Sequence, residues 1–300
     1  GRYQWEFNSE LNQYGTTMSL MLIPFWVGQG HQSMEGLFFE SSLTVPFHFL
    51  NQAEMSLAPS RPVPGLAYNT FDFDRGIPHL QLYGVDYYVS FTDEAEEKAI
   101  DDPRLEEVER SGPFTIFEVE DSDLVDVARF EPSVYDPPAG ERESFGELAL
   151  EWYDSIGTLD RWLVADGPDD WPRVPDADSV GAAEPLAASG SVSNIEIGDD
   201  WLTFETEAIG VPHLVKISYF PNWTANGAEG PYRAAPSLMV VVPTDERVEL
   251  RFGRSWIEFV GFGATLAAIA GLVSIRYLPS IRKRLDGADR ESETTETVSV

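Results

Sequence analysis

Residues Trp256–Tyr277 read WIEFVGFGATLAAIAGLVSIRY, and this stretch decides how the rest of the chain is interpreted. Phe259–Ile275 carries no charged side chain. At about 1.5 Å per residue, the helix from Trp256 to Tyr277 is roughly 33 Å long, close to the thickness of the hydrocarbon core of a bilayer. The two terminal aromatic residues stand where interfacial aromatic side chains are found. The pattern predicts one transmembrane helix at residues 255–278.

The charges that flank this segment predict its direction across the membrane. The flank after the helix is basic, with Arg276, Arg282, Lys283 and Arg284. The flank before it mixes both signs, with Arg247, Arg251, Arg254, Asp245, Glu246, Glu249 and Glu258. Because Lys and Arg concentrate on the cytoplasmic side of membrane helices, we expect residues 1–254 outside the plasma membrane and the C-terminus in the cytoplasm. Two alternatives are a buried helix of a soluble protein and a tail anchor with the large domain in the cytosol.

The composition limits the partners of the folded part. The chain has 51 acidic and 20 basic residues, a formal charge of −31. Such a surface repels nucleic-acid phosphates and anionic lipid headgroups, so no nucleic-acid partner is expected. The absence of cysteine excludes disulfides and thiolate metal sites. No signal-peptide pattern follows Gly1, so an outside location leads us to expect a longer membrane protein with a segment before Gly1.

The sequence predicts an α+β protein, in which a mixed α/β domain is followed by a small antiparallel β-sandwich and one C-terminal transmembrane helix. The mixed domain covers residues 1–165, a Pro/Gly/Ala/Asp-rich linker residues 166–190, and the sandwich residues 191–254. The tail at residues 279–300 is rich in Ser, Thr and Glu, and is expected to be cytoplasmic and mostly disordered.

Local patterns predict individual elements of this fold. The apolar stretch Met18–Trp26 is interpreted as a buried strand. Asp74 is predicted to cap a helix that runs to Tyr83 and stops at Gly84. Further helices are predicted at Asp93–Ile100 and Glu143–Ile156. The remaining predicted elements are strands at Val85–Phe91, Phe114–Val119, Ser191–Ile197, Trp201–Ala208, His213–Phe220, Ser237–Val242 and Val248–Phe252.

Three stretches resemble blocks of large bacterial and archaeal polytopic membrane proteins. They are SMEGLFFESSLTVPFHFLNQAEMS at Ser33–Ser56, GIPHLQLYGVDYYVSFT at Gly76–Thr92 and VPHLVKISYFPNWTANGAEGPYRAAPSLMVVVPT at Val211–Thr244. Proteins with such blocks are labelled "6-pyruvoyl-tetrahydropterin synthase-related membrane domain", and they are similar to glycosyltransferases of the GT-C superfamily. The resemblance covers most of residues 1–278 and is weakest at residues 165–195.

The resemblance implies the C-terminal extracytoplasmic portion of a GT-C-like glycosyltransferase. Such an enzyme transfers sugar from a polyprenyl-phosphate donor to a cell-surface acceptor. The implied partners are an N-terminal transmembrane bundle of the same protein, the lipid bilayer, and a glycan or lipid-linked sugar. The catalytic acid of that superfamily lies in the first outer loop, so no catalytic residue is predicted in this chain. No cofactor or metal is predicted either, since the histidines stand singly and cannot form the three-histidine zinc site of a pterin synthase.

One candidate substrate-binding segment combines carboxylates and an imidazole with many aromatic residues. Its candidate residues are Glu35, Glu40, His48 and Asn51, with Glu54 close by. Carboxylate and imidazole groups serve as general acids and bases, or hydrogen-bond sugar hydroxyls. The alternative is that these polar groups hold the backbone of a tightly packed turn.

A second candidate segment lies in a Gly- and Pro-rich loop between two predicted sandwich strands. Its candidate residues are Tyr219, Trp223, Glu229, Tyr232 and Arg233. Aromatic faces beside a carboxylate and a guanidinium make a carbohydrate platform. The alternative is that Trp223 and Tyr219 fill the sandwich core while Glu229 and Arg233 form a bracing ion pair.

Two further interpretations stay open at this level. Asp72 and Asp74 form a DxD pair that either holds a divalent cation or caps a helix. The whole chain is either part of an enzyme or a non-catalytic, membrane-tethered module that binds a glycan or a protein.

Overall fold

The computed structural model describes residues 1–28, 30–35, 43–138, 144–187 and 190–277. Gly1–Arg251 form one compact unit, and a second unit begins at Phe252. The helices are α1 (Ile23–Val27), α2 (Val45–Glu54), α3 (Phe73–Leu82), α4 (Asp93–Asp101), α5 (Phe145–Asp154) and α6 (Trp256–Tyr277). Short 3₁₀ helices cover Ser9–Tyr14, Ser19–Leu22, Ile156–Thr158 and Asp178–Ala182. The predicted α+β class is confirmed.

The strands form three sheets. A five-stranded mixed sheet has the order β2-β1-β3-β5-β4, from β1 (Arg2–Trp5), β2 (Gln32–Ser33), β3 (Tyr87–Ser90), β4 (Leu105–Ser111) and β5 (Phe114–Val119). A seven-stranded sheet has the order β6-β12-β15-β14-β8-β7-β9, from β6 (Val125–Val127), β7 (Ser133–Tyr135), β8 (Leu163–Val164), β9 (Arg173–Val174), β12 (His213–Val215), β14 (Ala228–Ala234) and β15 (Leu238–Pro243). A four-stranded sheet has the order β10-β11-β16-β13, from β10 (Val192–Ile197), β11 (Trp201–Thr206), β13 (Trp223–Asn226) and β16 (Arg247–Phe252).

The seven-stranded sheet is buried on both faces, which explains the uninterrupted apolar sequence of β15. Met239 and Val241 point to one face, where they meet Phe204 and Leu250 of the four-stranded sheet. Val240 points to the opposite face, into the main core shared with α2, α3 and α5. A strand covered on both sides reads as a continuous apolar run rather than as an alternation.

The seven-stranded sheet takes strands from both sides of the predicted linker at 166–190. β6, β7 and β8 precede that range, β9 lies within it, and β12, β14 and β15 follow it. Within the range, Trp171 and Val180 are buried in the main core. The predicted linker, although rich in Pro and Gly, therefore contains short elements that contribute to the core. Residues 1–251 form one compact unit.

Two local predictions are wrong. Met18–Trp26 is not a buried strand, because Ser19–Leu22 and α1 are helical turns and the rings of Phe25 and Trp26 are exposed. The helix cap is Asp72 rather than Asp74, since Asp72 Oδ1 accepts the backbone N–H of Asp74 at 3.0 Å. The Asx geometry of the cap places the side-chain acceptor two residues before its donor.

Helices α2 and α3 pack closely because residue 76 is glycine. A Cβ atom at Gly76 would lie 2.3 Å from Sδ of Met55. The backbone carbonyl of Gly76 also accepts a hydrogen bond from Asn51 Nδ2 at 2.8 Å. This contact fixes α2 against α3 and so positions the polar residues of α2.

Helix α6 satisfies its own polar groups. Its segment Trp256–Ser274 has a mean hydropathy of 1.8 and is long enough to cross a membrane. None of this segment is buried against the rest of the protein. The hydroxyls of Thr265 and Ser274 donate to the carbonyls of Gly261 and Ala270, one turn earlier. Such internal bonds are what a helix in hydrocarbon needs, because no water is present to replace them.

Candidate functional site

Helix α2 carries buried polar side chains, although it lies in the core. It begins with Pro46 in its first turn, where the missing N–H costs nothing. His48, Asn51, Gln52 and Glu54 are all buried. Residues 48 and 52 are one turn apart and share a face. The helix therefore holds two polar groupings, one around Glu54 and one around His48.

The Glu54 grouping is fully hydrogen-bonded. Glu54 Oε2 lies 2.6 Å from His79 Nδ1, and Glu54 Oε1 accepts from Asn69 Nδ2 at 3.0 Å and from Arg75 Nε at 3.4 Å. His79 Nε2 donates to the carbonyl of Tyr153 at 2.9 Å, and the two rings stack 3.6 Å apart. Since Nε2 faces a carbonyl and Nδ1 a carboxylate, both ring nitrogens of His79 face acceptors.

The charge balance at Glu54 favours its ionised form. Burial acts to raise the pKa of Glu54, but the hydrogen bond and charge of His79, together with Asn69 and Arg75, outweigh burial and lower the pKa. A buried, paired carboxylate of this kind joins α2, α3 and α5. We interpret Glu54 as a structural group that holds the helices together.

The His48 grouping is different, because three of its buried polar atoms have no hydrogen-bond partner in the described chain. His48 Nε2 lies 3.7 Å from Glu35 Oε2, and Gln52 Nε2 donates to the same oxygen at 3.1 Å. Both ring nitrogens of His48, and Gln52 Oε1, are buried without a hydrogen-bond partner among the described residues. Glu35 and His48 are each 4% exposed. Buried polar atoms of this kind are satisfied by an ordered water, an ion or a bound group.

Asn51 and Glu40 are the other two residues of the first candidate segment. Asn51 donates to Gly76, and its Oδ1 has no partner within the described ranges. Glu40 lies outside the described residues. The structure thus brings Glu35, His48 and Gln52 together and assigns Glu54 to the helix interface. Gln52 was missed by sequence reasoning, although its spacing of four from His48 places both on one helix face.

The second candidate segment forms an aromatic cluster. The Tyr232 ring meets Trp171 edge-on, with 5.5 Å between centroids, and the Arg233 guanidinium lies 4.9 Å over the Phe145 ring. Burial lowers the pKa of Arg233, with nearby Tyr219 acting in the opposite direction. A guanidinium over an aromatic face is a cation–π contact. Arg233 is therefore held by Phe145, not by Glu229, which is exposed.

Tyr219 and Trp223 lie against the sandwich. Both are half-buried and pack on the core formed by Phe204, Met239 and Leu250. Burial raises the pKa of Tyr219, and the charge of Asp166 adds to this effect. These contacts agree with the core-filling interpretation for both rings, while part of each surface stays accessible.

The two candidate segments meet at one point. Thr44 Oγ1 and Ser218 Oγ lie 3.2 Å apart, so the residue before α2 touches the residue before Tyr219. Both candidate segments belong to one compact unit.

A cleft of about 830 Å³ was not anticipated from the sequence. Lys216 lies in its wall, buried, and its Nζ donates to Asp126 Oδ2 and to the carbonyl of Gln81, each at 2.8 Å. Burial lowers the pKa of Lys216 and raises that of Asp126, with their mutual attraction opposing both shifts. The one available signal was a lysine inside the apolar run of Val211–Phe220. Since Nζ has two partners, we interpret Lys216 as a bridge between α3 and β6.

The acidic side chains of the described residues do not assemble a metal site. Among the residues that the structure describes, no group of three His, Asp or Glu side chains is arranged to hold a metal ion. Comparison of the chain with protein-family models, curated proteins and solved structures finds no significant match in any of the three.

Proposed function

We propose that this chain is the outer C-terminal domain and last transmembrane helix of a GT-C-like glycosyltransferase, and that Glu35, His48 and Gln52 bind sugar hydroxyls there. The observation that carries the proposal is the buried His48 ring, whose two nitrogens have no partner in the described chain. The similarity of three sequence blocks to the GT-C-like family supports the reaction class.

The chemistry of the His48 grouping suits a sugar. An imidazole offers one donor and one acceptor when neutral, a carboxylate accepts, and an amide oxygen accepts. A pair of neighbouring hydroxyls presents the matching donors and acceptors. A site built to hydrogen-bond a hydroxyl discriminates strongly against a ligand that lacks it, because its buried polar groups then stay unpaired. Glu35, held by Gln52, would orient the ligand, and His48 would exchange hydrogen bonds with it.

Catalysis is assigned to groups outside these residues. In this proposal the acid that acts on the acceptor belongs to the accompanying transmembrane part of the protein. Helix α6 attaches the domain to the membrane that contains the polyprenyl-phosphate donor. Its apolar segment, long enough to cross a membrane, supports this role.

A second candidate function is a membrane-tethered glycan-binding module without catalysis. It is favoured by the partly exposed rings of Tyr219, Trp223 and Tyr232, which lie in one segment of the chain and include no acid–base pair. In that case sugar binds at the rings and no bond is broken.

Two measurements test the proposal. The DNA upstream of the Gly1 codon should encode a series of apolar helices with an acidic residue in the first outer loop. Membranes that contain this full-length protein should transfer labelled sugar from a polyprenyl-phosphate donor, and Glu35→Gln should reduce the transfer. Sugar binding without any transfer would favour the module. If the protein neither binds nor transfers sugar, both proposed functions are wrong.

A further inference from the structure

Arg233 has no carboxylate partner among the described residues, although the chain is strongly acidic. Six other arginines lie 2.5–3.9 Å from a carboxylate oxygen, namely Arg75, Arg104, Arg110, Arg173, Arg247 and Arg251. Arg233 is half-buried, and its Nε is buried without a hydrogen-bond partner in the described chain. A guanidinium stays charged in proteins, so its charge needs an acceptor from elsewhere.

The fold holds the Arg233 side chain in place. Its strand, β14, pairs with β15 on one side and β8 on the other. The backbone carbonyl of Arg233 accepts from the N–H of Ala165 at 2.8 Å, and the Phe145 ring lies 4.9 Å from the guanidinium. A ring face attracts the cation but offers no oxygen acceptor to its N–H groups. A ligand that supplies such an acceptor meets a side chain that is already positioned, which reduces the cost of binding.

Tyr219 adds a second hydrogen-bond donor beside Arg233. Its phenol is close enough to interact with the charge of Arg233. The backbone N–H of Tyr219 donates to the carbonyl of Ser237 at 2.8 Å, which fixes the residue against the chain that follows β14. Burial raises the pKa of Tyr219, so its hydroxyl stays protonated and able to donate at neutral pH. A cation and a neutral donor therefore lie together.

The surrounding charge selects among the anions that an arginine binds. A guanidinium binds both carboxylate and phosphate groups through paired hydrogen bonds. The net charge of −31 opposes any anion, and the charge of Asp166 acts on Tyr219 directly. Because repulsion grows with the charge of the ligand, a singly charged carboxylate suits this place better than a doubly charged phosphate. The partly exposed rings of Tyr219 and Trp223 suit a sugar ring beside that carboxylate.

We infer that Arg233 and Tyr219 bind the carboxylate of an acidic sugar, such as a uronic acid residue of a glycan. The inference specifies the class of sugar for the second candidate segment. It rests on the proposal that this chain binds sugar, but it does not depend on sugar transfer.

Isothermal titration of the whole chain in detergent tests the inference. The probes are β-1,4-linked tetraglucuronic acid and cellotetraose, which differ only in the oxidation of the hydroxymethyl groups. The acidic probe should bind at least about tenfold more tightly, because charge-assisted hydrogen bonds form only with it. Arg233→Gln should remove this preference, and Arg233→Lys should keep only part of it, because lysine lacks the planar guanidinium.

Arg161→Gln is the matched control and should leave the preference unchanged. Arg161 is also half-buried, lies 4.5 Å over the Phe130 ring, and has a buried Nε without a partner in the described chain. If its replacement removes the preference as fully as Arg233→Gln does, the binding reflects general charge and the inference is wrong. A preference that survives Arg233→Gln would contradict it too.

The unaltered chain tests the inference even if a variant fails to fold. Equal affinity for the two tetrasaccharides would overturn it, since Arg233 would then have its counter-ion within the protein. Tighter binding of inorganic phosphate or of a tetraglutamate peptide would also overturn it, because the site would then serve a phosphate or an acidic protein. Cellotetraose binding without an acidic preference would leave the proposed sugar binding intact. A preference without any sugar transfer would support the inference while the proposed enzyme fails.

Discussion

His79 Nδ1 lies 2.6 Å from Glu54 Oε2, and both side chains are fully buried. The same helix α2 carries a second histidine–carboxylate pair, His48 and Glu35, at 3.7 Å. The first pair has every polar atom bonded, whereas the second leaves both imidazole nitrogens without a partner in the described chain. The two pairs have the same chemistry but different hydrogen bonding, so each serves as the control for the other.

Replacement of His79 should destabilise the protein. His79→Gln leaves the buried Glu54 carboxylate without its closest partner, a change that costs about 3–5 kcal/mol in the free energy of unfolding. Denaturant unfolding in detergent measures it. His31→Gln is the control, because His31 is exposed. A His79→Gln loss no larger than that of the control would contradict the structural role of the pair.

His213 should make stability depend on pH. Its Nδ1 donates to the carbonyl of Val211 and its Nε2 accepts from the Thr206 hydroxyl, each at 2.8 Å, so the ring is held neutral. Burial lowers the pKa of His213 below the usual 6.5, while the bond to Val211 opposes the shift.

Because the folded pKa is lowered, the unfolded chain binds the proton first. The stability from His213 is complete above pH 6.5 and is lost as the pH falls from there through the folded pKa. The free energy of unfolding, measured at pH 7.5 and at successively lower pH, should fall in this range. In the His213→Gln variant it should fall less steeply with decreasing pH. An unchanged slope would mean that other groups cause the acid sensitivity.

Added salt should raise the melting temperature. Carboxylates outnumber basic groups by 51 to 20, and their repulsion is screened over a Debye length of roughly 8–10 Å near physiological ionic strength. Melting curves in increasing sodium chloride test this. A flat or falling trend would show that the charges are paired or too far apart to matter.

The C-terminus should be cytoplasmic. The basic residues after Tyr277 predict this orientation of α6, with residues 1–254 on the opposite side. A reporter fused after Val300 should be active only as a cytoplasmic enzyme. Activity of a reporter that functions only outside the cytoplasm would reverse the topology.

The sequence correctly predicted those elements whose hydrophobic pattern and capping residues lie within the element itself or beside it in the chain. β5 was predicted with the bounds that the structure has, and α4 begins at the predicted Asp93. Met18–Trp26 failed because an unbroken apolar run does not distinguish a strand buried on both faces from a segment that packs on one side and is exposed on the other. Helical turns with exposed rings occupy it instead.

The candidate sites depended on contacts between distant residues. Nothing local distinguishes Glu54 from Glu35, since the difference is set by His79 and Arg75 on α3 and by Gln52 beside Glu35. An ion pair of Arg233 with Glu229 was one of the two interpretations of that segment, but the fold places the Phe145 ring beside the Arg233 guanidinium. Such contacts between distant residues depend on how the elements pack in three dimensions. The hydrophobic periodicity of the sequence does not contain that information.

The most direct test of the proposed site compares His48→Gln with His79→Gln in the proposed full-length glycosyltransferase. Sugar transfer per folded molecule and the free energy of unfolding are measured for both. The account predicts that His48→Gln lowers transfer about tenfold, the effect of losing one hydrogen bond of about 1.4 kcal/mol, and leaves stability nearly unchanged. It predicts the reverse for His79→Gln. If His48→Gln instead lowers stability as much as His79→Gln and leaves transfer per folded molecule intact, His48 is a structural residue and the proposed site is wrong.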